Sequence, residues 1–326
     1  MNKIRLTRLH LILPLAATSI VLASCGSGPS FSIEEDTDSI VIKQGSQNIL
    51  RYNKSVQKAP AGIDAINDRS GYIHPIFTPT GQIATGDFSE DHPHQHGLFM
   101  AWTNTTYREQ FVDFWNPKDK VGRVEFAETL KTTTNSDSVS FSVRHNHVAI
   151  IKGTEEQVLT ETWTVTARET IGEHFLFDVE SAQQLVGTAP LILNEYRYGG
   201  MALRGSNEWT KIPANPDGTS DFLTDEGKER IEGNHTKVHW VRMSGIIDGE
   251  PASITVLNHP SNFRSPQTAR IHPKMPYFVF SPMVEGPFSI QPGETYTSLY
   301  RYLITSNVPD PDWINEQWQE FVETTN

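Results

Sequence analysis

The sequence predicts an all-β protein, a large antiparallel β-sandwich with one C-terminal helix. Apolar residues alternate with polar ones from Ser39 onward, and turn-forming residues separate the alternating runs. The 326 residues also include 20 prolines and 22 glycines, which interrupt long helices. Alternation is typical of strands that bury one face, and about a dozen short strands between turns favour a sandwich.

Individual strands follow from this alternation. Residues 39–42 and 48–52 predict a first hairpin around Gly45. Further runs predict strands over residues 138–143, 161–167, 175–179, 238–243, 253–257, 277–280 and 297–304. Turn signals such as Asp248-Gly249 separate these runs.

The C-terminal residues predict the helix. Asp310 is suited to an N-cap, and Pro311 to the first helical position. The apolar residues fall on one helical face and are Ile314, Trp318, Phe321 and Val322. We expect this face to pack on the sandwich.

The N-terminal residues predict export and a lipid anchor. Lys3, Arg5 and Arg8 precede an apolar segment that is too short and too interrupted to span a membrane permanently. Residues 22–26, Leu-Ala-Ser-Cys-Gly, resemble a bacterial lipobox. We therefore expect residues 1–24 to be a lipoprotein signal peptide and Cys25 to be lipidated. Residues 25–38 are expected to form a flexible acidic tether, and residues 39–326 a single β-sandwich domain.

Charge and cysteine content restrict the partners. The formal net charge is −12, and loss of residues 1–24 removes three basic and no acidic side chains, which gives −15. Such an acidic surface repels phosphate backbones, so nucleic acid is not an expected partner. Cys25 is the only cysteine, so no internal disulfide can form. We expect a bacterial envelope protein, periplasmic or at the outer membrane, that contacts the membrane through its lipid alone.

The most unusual motif is Asp91-His92-Pro93-His94-Gln95-His96-Gly97. In an extended segment, His92, His94 and His96 would project from one face. Neutral imidazole binds metals and also exchanges protons near neutral pH. The motif therefore leaves two interpretations open. One is proton transfer without a cofactor, and the other is a divalent metal held by His92, His94 and His96 with a further ligand from Asp113 or His259.

Other polar and aromatic residues are candidates to join the histidines. They are Trp102, Asp113, Trp115, Glu195, Arg197, His259, Arg270 and His272. Glu195 and Arg197 would share one face of an extended segment, either as site residues or as a cross-strand ion pair. His259 and His272 precede prolines and would otherwise simply end strands. Binding sites gather at loops of such folds, which makes a common location possible.

Several of these motifs together resemble the PmoA-like domain family, often labelled "methane oxygenase PmoA". The residues that carry the resemblance are 74–77, 91–99, 113–115, 195–201 and 259–262, within a span of about Ile40 to Ser306. Many relatives have His-His-Arg where this chain has His94-Gln95-His96. The resemblance implies a sandwich similar to the galactose-mutarotase supersandwich and a role in sugar degradation. A methane oxygenase in the literal sense needs several transmembrane helices, and no apolar span follows the signal segment.

Two functional hypotheses follow. The first is a carbohydrate epimerase, lyase or hydrolase that acts on a small-molecule or oligosaccharide substrate by acid–base chemistry. Its expected catalytic residues are His94, His96, Glu195, Arg197 and His259. Its expected substrate-binding residues are His92, Trp102, Asp113, Trp115, Arg270 and His272. The alternative is a non-catalytic sugar-binding lipoprotein, because seven tryptophans and nine tyrosines suit stacking on glycans.

Overall fold

The computed structural model describes residues 31–170 and 174–324, which contain 21 β-strands and one α-helix. The first strands are β1 Phe31–Glu35, β2 Ser39–Gln44, β3 Gln47–Asn53, β4 Tyr72–Ile76, β5 Leu98–Ala101, β6 Thr105–Tyr107, β7 Gln110–Val112, β8 Gly122–Thr134, β9 Ser138–Ile151 and β10 Thr154–Arg168. The others are β11 His174–Leu185, β12 Leu191–Leu193, β13 Gly200–Arg204, β14 Asp221–Thr224, β15 Thr236–Lys237, β16 Trp240–Ile247, β17 Glu250–Asn258, β18 Thr268–Ile271, β19 Tyr277–Phe280, β20 Phe288–Ile290 and β21 Thr295–Thr305. The helix is α1, Pro311–Thr324.

The strands form three sheets in which the described neighbours pair antiparallel. The largest has nine strands in the order β1-β2-β3-β4-β5-β13-β19-β18-β15. The second has eight, in the order β14-β16-β17-β21-β11-β10-β9-β8, and the smallest has four, β20-β12-β6-β7. The predicted all-β class with large antiparallel sheets is confirmed.

The two large sheets bury their alternate side chains against each other. Phe278 of β19 meets Phe222 of β14 with ring centroids 6.3 Å apart, and Phe280 stacks on Tyr300 of β21 at 5.6 Å. Side chains of all three sheets belong to one apolar cluster. Burial of apolar area between sheets therefore supplies the main stabilisation of the fold.

The middle of the nine-stranded sheet has a second, polar face. The pairing of β5, β13, β19 and β18 sets Ala202 opposite Phe99, Arg204 opposite Tyr277, and Arg270 opposite Val279. Because alternate residues of a strand share a face, Phe99, Arg204, Tyr277 and Arg270 all lie on the side away from Phe278. Loops cover that side, and the candidate site lies there.

The helix α1 forms as predicted. The amide of Asp312 donates to Oδ1 of Asp310 at 2.8 Å, which is the expected N-cap interaction. Ile314 and Phe321 are buried in a separate apolar cluster with side chains of β11, β16, β17 and β21. Within the described residues, no helix has the length and apolar character required to cross a membrane.

The N-terminal boundary differs from the prediction. The signal segment and Cys25 lie outside the described residues. Within the predicted tether of residues 25–38, Phe31–Glu35 form β1, which pairs along its whole length with β2. The acidic residues Glu34 and Glu35 bind Lys43 and Lys54, and Phe31 is buried, so this segment is an edge strand of the sheet. The predicted hairpin around Gly45 is confirmed as β2 and β3.

Candidate functional site

The three histidines after Asp91 lie on turns between β4 and β5. The amide of Gln95 donates to the carbonyl of His92, and the amide of His92 donates to the carbonyl of Ser89, each at 3.1 Å. Pro93 is the second residue of the turn formed by residues 92–95, a position that accommodates its fixed φ. The prediction of an extended segment with all three rings on one face is therefore wrong, because consecutive turns direct the rings differently.

His96 anchors the loop through the carboxylate of Asp87. Its Nδ1 lies 2.6 Å from Oδ1 of Asp87, and the hydroxyl of Tyr72 donates to Oδ2 of the same carboxylate at 2.7 Å. Burial opposes the ionisation of Asp87, but its hydrogen bond with His96 prevails and lowers its pKa. His96 is itself only 2% exposed. The structure thus ties His96 to β4 through Asp87, and the proton-transfer role predicted for it with His94 stays a prediction.

Arg204, at the end of β13, fixes the other side of the loop. Its guanidinium is fully buried and donates to Oε1 of Gln95 at 3.0 Å and to Oδ1 of Asp91 at 2.8 Å. A third hydrogen bond reaches the hydroxyl of Thr210. Burial opposes the ionisation of Asp91, but the nearby ring of His92 and the guanidinium of Arg204 together lower its pKa to about 2. The ion pair between Arg204 and Asp91 therefore holds residues 86–97, here called the histidine loop, on the sheet.

Replacement of Arg204 by methionine is expected to lower the free energy of unfolding by about 3 kcal/mol, because removing one partner of a buried ion pair leaves the other unpaired. The loop of residues 86–97 should also become more susceptible to proteolysis. Chemical denaturation and limited digestion measure the two effects. Arg144→Met is the control, because Arg144 pairs with Glu128 on an exposed strand surface. Equal effects of the two substitutions would contradict the anchoring role.

The loop borders a cavity of about 210 Å³, here called the histidine cavity. It is lined by His92, His94, Gln95, Trp115, Asn116, Arg197, Tyr198, Arg270, His272, Met275 and Tyr277. These residues come from the connections that follow β4, β7, β12 and β18 and from the strands β18 and β19. The structure thus brings together six of the predicted residues: His92, His94, Trp115, Arg197, Arg270 and His272.

Three buried polar atoms of the lining have no hydrogen-bond partner among the described residues. They are Nδ1 of His92, Nε of Arg270 and the hydroxyl of Tyr277. Buried polar groups in proteins are normally satisfied, and each exception costs free energy. Unsatisfied donors that line one cavity are therefore consistent with a site built for a polar ligand.

The protonation states of the cavity are unusual. Burial, followed by the like charges of His92 and His96, lowers the pKa of His94 to about 3. Burial and the guanidinium of Arg270 lower the pKa of His272 to about 4. Burial raises the pKa of Tyr277 well above that of a free phenol. At neutral pH the cavity therefore contains neutral imidazoles, which accept protons, and a protonated phenol, which donates one.

These shifts predict a loss of stability in mild acid. The ordinary pKa of histidine is about 6.5, so the unfolded chain takes up protons at His94 and His272 before the folded chain does. Stability is therefore complete above pH ~6.5 and falls as the pH drops from there toward 4. The free energy of unfolding measured at pH 7 and pH 5 should show this decrease, and the decrease should be smaller in His272→Asn. An unchanged pH dependence in that variant would contradict the assignment.

Asp113 organises the aromatic wall of the cavity without reaching into it. Its Oδ1 accepts hydrogen bonds from the amides of Trp115 and Asn116, both at 2.8 Å. Its Oδ2 accepts from the hydroxyl of Thr103 at 2.7 Å. The ring of Trp115 consequently rests between Phe99, at 4.8 Å, and Tyr198, at 5.1 Å. Asp113 is thus a positioning residue and lines neither the histidine cavity nor the cavity next to it.

A second cavity of about 360 Å³ adjoins the first, here called the neighbouring cavity. His94 and Trp115 line both cavities. The neighbouring cavity is also lined by His96, Arg69 and Phe114. Arg69 is partly buried, with its guanidinium 4.9 Å from the ring centre of Phe99, and burial of this group lowers its pKa to about 10. His94 therefore stands where the two cavities meet.

Three predicted site residues lie elsewhere. Trp102 is fully buried and donates from Nε1 to Gln183 at 2.7 Å, so its ring is not available for stacking on a sugar. His259 is buried on the other side of the eight-stranded sheet, with its ring 5.0 Å from Phe321 of α1. Glu195 is exposed and does not line the histidine cavity. The predicted pairing of Glu195 with Arg197 on one strand face fails because residues 194–199 form an irregular loop rather than a strand.

The predicted metal ligands do not converge. The rings of His92 and His94 are 5.7 Å apart, whereas His96 is bound to Asp87. Residues 31–170 and 174–324 contain no group of three or more His, Cys, Asp or Glu side chains placed to hold a metal ion.

Sequence reasoning missed Asn116, Tyr198 and Tyr277 as cavity residues. Tyr277 begins a strand that was predicted, but its direction depends on the pairing with Arg204, which no local pattern reveals. It also missed a fully buried carboxylate, Glu161 of β10. The sequence did contain a signal for Glu161. It lies on the same face of the alternating strand as Trp163, Val165 and Ala167, all of which are buried.

Residues 39–319 match the model of a protein family described as a family of unknown function, DUF6807. The chain belongs to this family. The match spans most of the chain, from the start of β2 into α1. It overturns the resemblance to the PmoA-like domain family, which depended on short motifs. Most of those motifs fall in loops.

The DUF6807 chain also resembles solved structures of carbohydrate enzymes at low identity. Heparan sulfate lyase HepC from Pedobacter heparinus matches with a TM-score of 0.36 and 12% identity, over 87% of this chain and 37% of the lyase. A GalM/aldose epimerase homologue from C. elegans matches with a TM-score of 0.33 and 10% identity, over 86% of this chain and 100% of the homologue. The chain thus spans little more than a third of the lyase. None of the curated protein sequences compared with it matches.

Proposed function

We propose that the histidine cavity binds a carbohydrate and transfers protons on it. The observation that carries this proposal is the buried, unpartnered hydroxyl of Tyr277 in the same cavity as His94 and His272. A phenol that donates and an imidazole that accepts form the pair that acid–base catalysis requires. Each such group contributes roughly 10²–10⁴-fold to a rate.

His94 is the residue we assign as the base. It lines both cavities, so a saccharide that occupies them would present a bond or a ring carbon at His94. Its low pKa keeps it neutral and able to accept a proton at all physiological pH values. Tyr277 is the assigned acid, because burial keeps its phenol protonated. His94 keeps the proton-transfer role that the sequence suggested for it, and Tyr277 takes the place of His96 as its partner.

The lining favours an epimerase or a lyase over a hydrolase. Glycoside hydrolases typically use two carboxyl groups about 5–10 Å apart, one of them as an acid. No aspartate or glutamate of the described residues lines the histidine cavity. Proton abstraction from carbon needs only a base, an acid and groups that stabilise negative charge, and the cavity offers all three.

Carbohydrate is the favoured ligand because the cavity combines aromatic rings with many hydrogen-bonding groups. Trp115, Tyr198 and Tyr277 supply the rings, and Asn116 and Gln95 supply amides. At about 210 Å³ the histidine cavity is smaller than the ~300–1,000 Å³ typical of drug-sized ligands, which suits one small polar unit. The neighbouring cavity would take a second unit.

Tyr277→Phe tests this proposal most cleanly. The hydroxyl has no partner to lose, so the variant should be as stable as the parent or more so, because an unsatisfied buried group is removed. Turnover of saccharides, followed by chromatography of products, should fall roughly 10²–10⁴-fold.

Tyr300→Phe is the matched control. Its hydroxyl donates to Gln267 at 2.7 Å and is buried away from the cavity. This variant should lose about 1 kcal/mol of stability and keep its turnover. Full activity of Tyr277→Phe would exclude the assigned acid. Saccharide binding without any product would favour the non-catalytic sugar-binding alternative.

We propose further that the protein is attached to the bacterial envelope through a lipid on Cys25. Support comes from the basic and apolar residues before it and from the Leu-Ala-Ser-Cys-Gly sequence. Cys25→Ser should release the protein from membranes, as fractionation would show, and continued membrane association would contradict the anchor.

A further inference from the structure

We propose that the sugar bound in the histidine cavity carries a carboxylate, and that Arg197 and Arg270 bind it. The substrate class is then a hexuronate unit of a saccharide. This inference rests on the proposed function and specifies its substrate. The charge of the cavity differs from that of the whole chain. The chain has a formal net charge of −12, whereas the cavity lining has two arginines, three histidines and no carboxylate.

Arg270 is a buried cation without a counter-ion. Only 9% of it is exposed, and its Nη1 donates to two neutral oxygens, Oδ1 of Asn234 at 2.9 Å and the carbonyl of Ile271 at 2.7 Å. Its Nε is buried without a partner. A buried charge that lacks an opposite charge is costly, and a bound anion would relieve that cost.

Arg197 stands at the exposed edge of the same cavity. Its guanidinium lies near the rings of both Tyr196 and Tyr198, at 5.8 and 5.7 Å from their centres. Neither Arg197 nor Arg270 forms an ion pair with a carboxylate of the described residues. Burial, and to a smaller extent the like charge of Arg197, lower the pKa of Arg270. Two guanidinium groups that line one cavity are suited to one carboxylate, whose two oxygens match their paired donors.

The carboxylate of the histidine motif, Asp91, does not neutralise this pair. Asp91 is already committed to Arg204, at 2.8 Å, and lies 3.6 Å from His92. The positive charge of the cavity thus remains available to a ligand.

A carboxylate in this position also explains how so weak a base as His94 becomes useful. The hydrogen on the carbon next to a carboxylate becomes more acidic when cations neutralise that group and stabilise the charge that develops on its oxygens. His94 would take this proton, and the electron pair would move into the carboxylate. Return of a proton to the opposite face gives an epimer. Departure of the oxygen on the next carbon, with a proton from Tyr277, gives an unsaturated product. Neither route requires an oxidant or a reductant.

A bound carboxylate would itself change the pKa values of His94 and His272. A bound carboxylate places negative charge near His94 and His272, which favours their protonated forms and raises their pKa values toward neutrality. The charged groups that lower the pKa of His94 are His92, His96, Lys118 and Arg69, and those that act on His272 are Arg270, His92, Arg204 and Asp91. Binding of a uronate should therefore be accompanied by proton uptake.

The test compares pairs of oligosaccharides that differ only in the carboxylate. Oligogalacturonates, oligoglucuronates and alginate-derived oligosaccharides are each paired with the same chain after reduction of its carboxylates to alcohols. Calorimetry with the full chain should show at least one acidic form bound 10-fold or more tightly than its reduced partner, with an affinity that falls as salt rises. Proton uptake should appear as a dependence of the heat on the buffer.

Two variants test whether the arginines cause the tighter binding of the acidic form. Arg270→Gln and Arg197→Gln should each lower affinity for the acidic form and leave affinity for the reduced form unchanged. Arg197 is exposed, so its replacement tests the inference even where Arg270→Gln fails to fold. Arg144→Gln, on the exposed surface of β9, is the matched control and should change neither affinity.

The outcomes separate this inference from the proposed function. Equal affinity for acidic and reduced forms, with turnover of either, would overturn the uronate inference and leave the acid–base function standing. Tighter binding of a sulfated neutral sugar than of any uronate would also overturn it. Absence of binding to both members of every pair would overturn both.

Discussion

Replacement of Glu161 by alanine is expected to lower the free energy of unfolding by about 4 kcal/mol, close to the whole stability of many domains. Glu161 is fully buried between the large sheets. Its Oε1 accepts hydrogen bonds from Trp163 Nε1 at 2.7 Å, from the hydroxyl of Ser181 at 2.5 Å and from Gln183 Nε2 at 3.1 Å. Loss of the carboxylate leaves these donors unsatisfied in the core, which costs about 1–3 kcal/mol for each group that finds no water.

Two histidines complete this buried network. The Nε2 of His147 is 2.8 Å from Oε2 of Glu161, and the Nδ1 of His145 is 3.4 Å away. The hydroxyl of Tyr52 donates to the other ring nitrogen of His145 at 2.6 Å, which leaves the Nδ1 hydrogen for Glu161. Burial works against ionisation, yet the hydrogen bonds with both histidines keep the pKa of Glu161 well below its usual value. The network therefore joins β3 of one sheet to β9, β10 and β11 of the other.

Chemical denaturation measures the effect of Glu161→Ala against two comparisons. Glu161→Gln should lose less stability, because its amide oxygen can still accept the three hydrogen bonds while His147 changes tautomer. Glu180→Ala, at an exposed position of β11, should change stability by no more than about 0.5 kcal/mol. A Glu161→Ala protein that unfolds at the same denaturant concentration as the parent would show that the network contributes no net stability.

His94→Ala is expected to reduce the rate of saccharide turnover roughly 10²–10⁴-fold. His94 is the one histidine that lines both cavities, and none of its ring contacts anchors the histidine loop in the way that His96 and Asp87 do. Affinity for the saccharide should change far less than the rate, because a proton-transfer group acts mainly on the transition state. Steady-state kinetics, with kcat and KM determined separately, measures the two effects.

His259→Asn serves as the comparison for this prediction. His259 packs against Phe321 of α1, far from the histidine cavity, so its replacement should lower stability and leave kcat unchanged. If His259→Asn removed turnover and His94→Ala did not, the assignment of the base would be wrong and the sequence-based expectation for His259 would be restored.

The fold was predictable because its signals are local. Alternation identified strands such as β10, in which Trp163, Val165 and Ala167 are all buried, and capping residues identified α1. The same alternation places Glu161 inside the core, but an acidic residue there is stable only because donors from two other strands, β9 and β11, surround it. No run of neighbouring residues reveals such partners.

The site was predictable only in part, for a related reason. The density of histidines identified the loop, but Pro93 makes it turn, so His92 and His94 face one cavity and His96 binds Asp87. Trp102 looked like a sugar-stacking residue, yet the pairing of strands places it in the core. The role of Tyr277 depends on its register opposite Arg204 and on the loops that cover that face. These are long-range properties of the folded chain.

The most direct test of the central claim is the crystal structure of the protein with a bound oligosaccharide. We expect a sugar ring in the histidine cavity, in contact with His94 and within hydrogen-bond distance of the Tyr277 hydroxyl. A sugar bound instead in the exposed aromatic groove of Phe263, Phe288 and Tyr296, with the histidine cavity empty, would contradict the account.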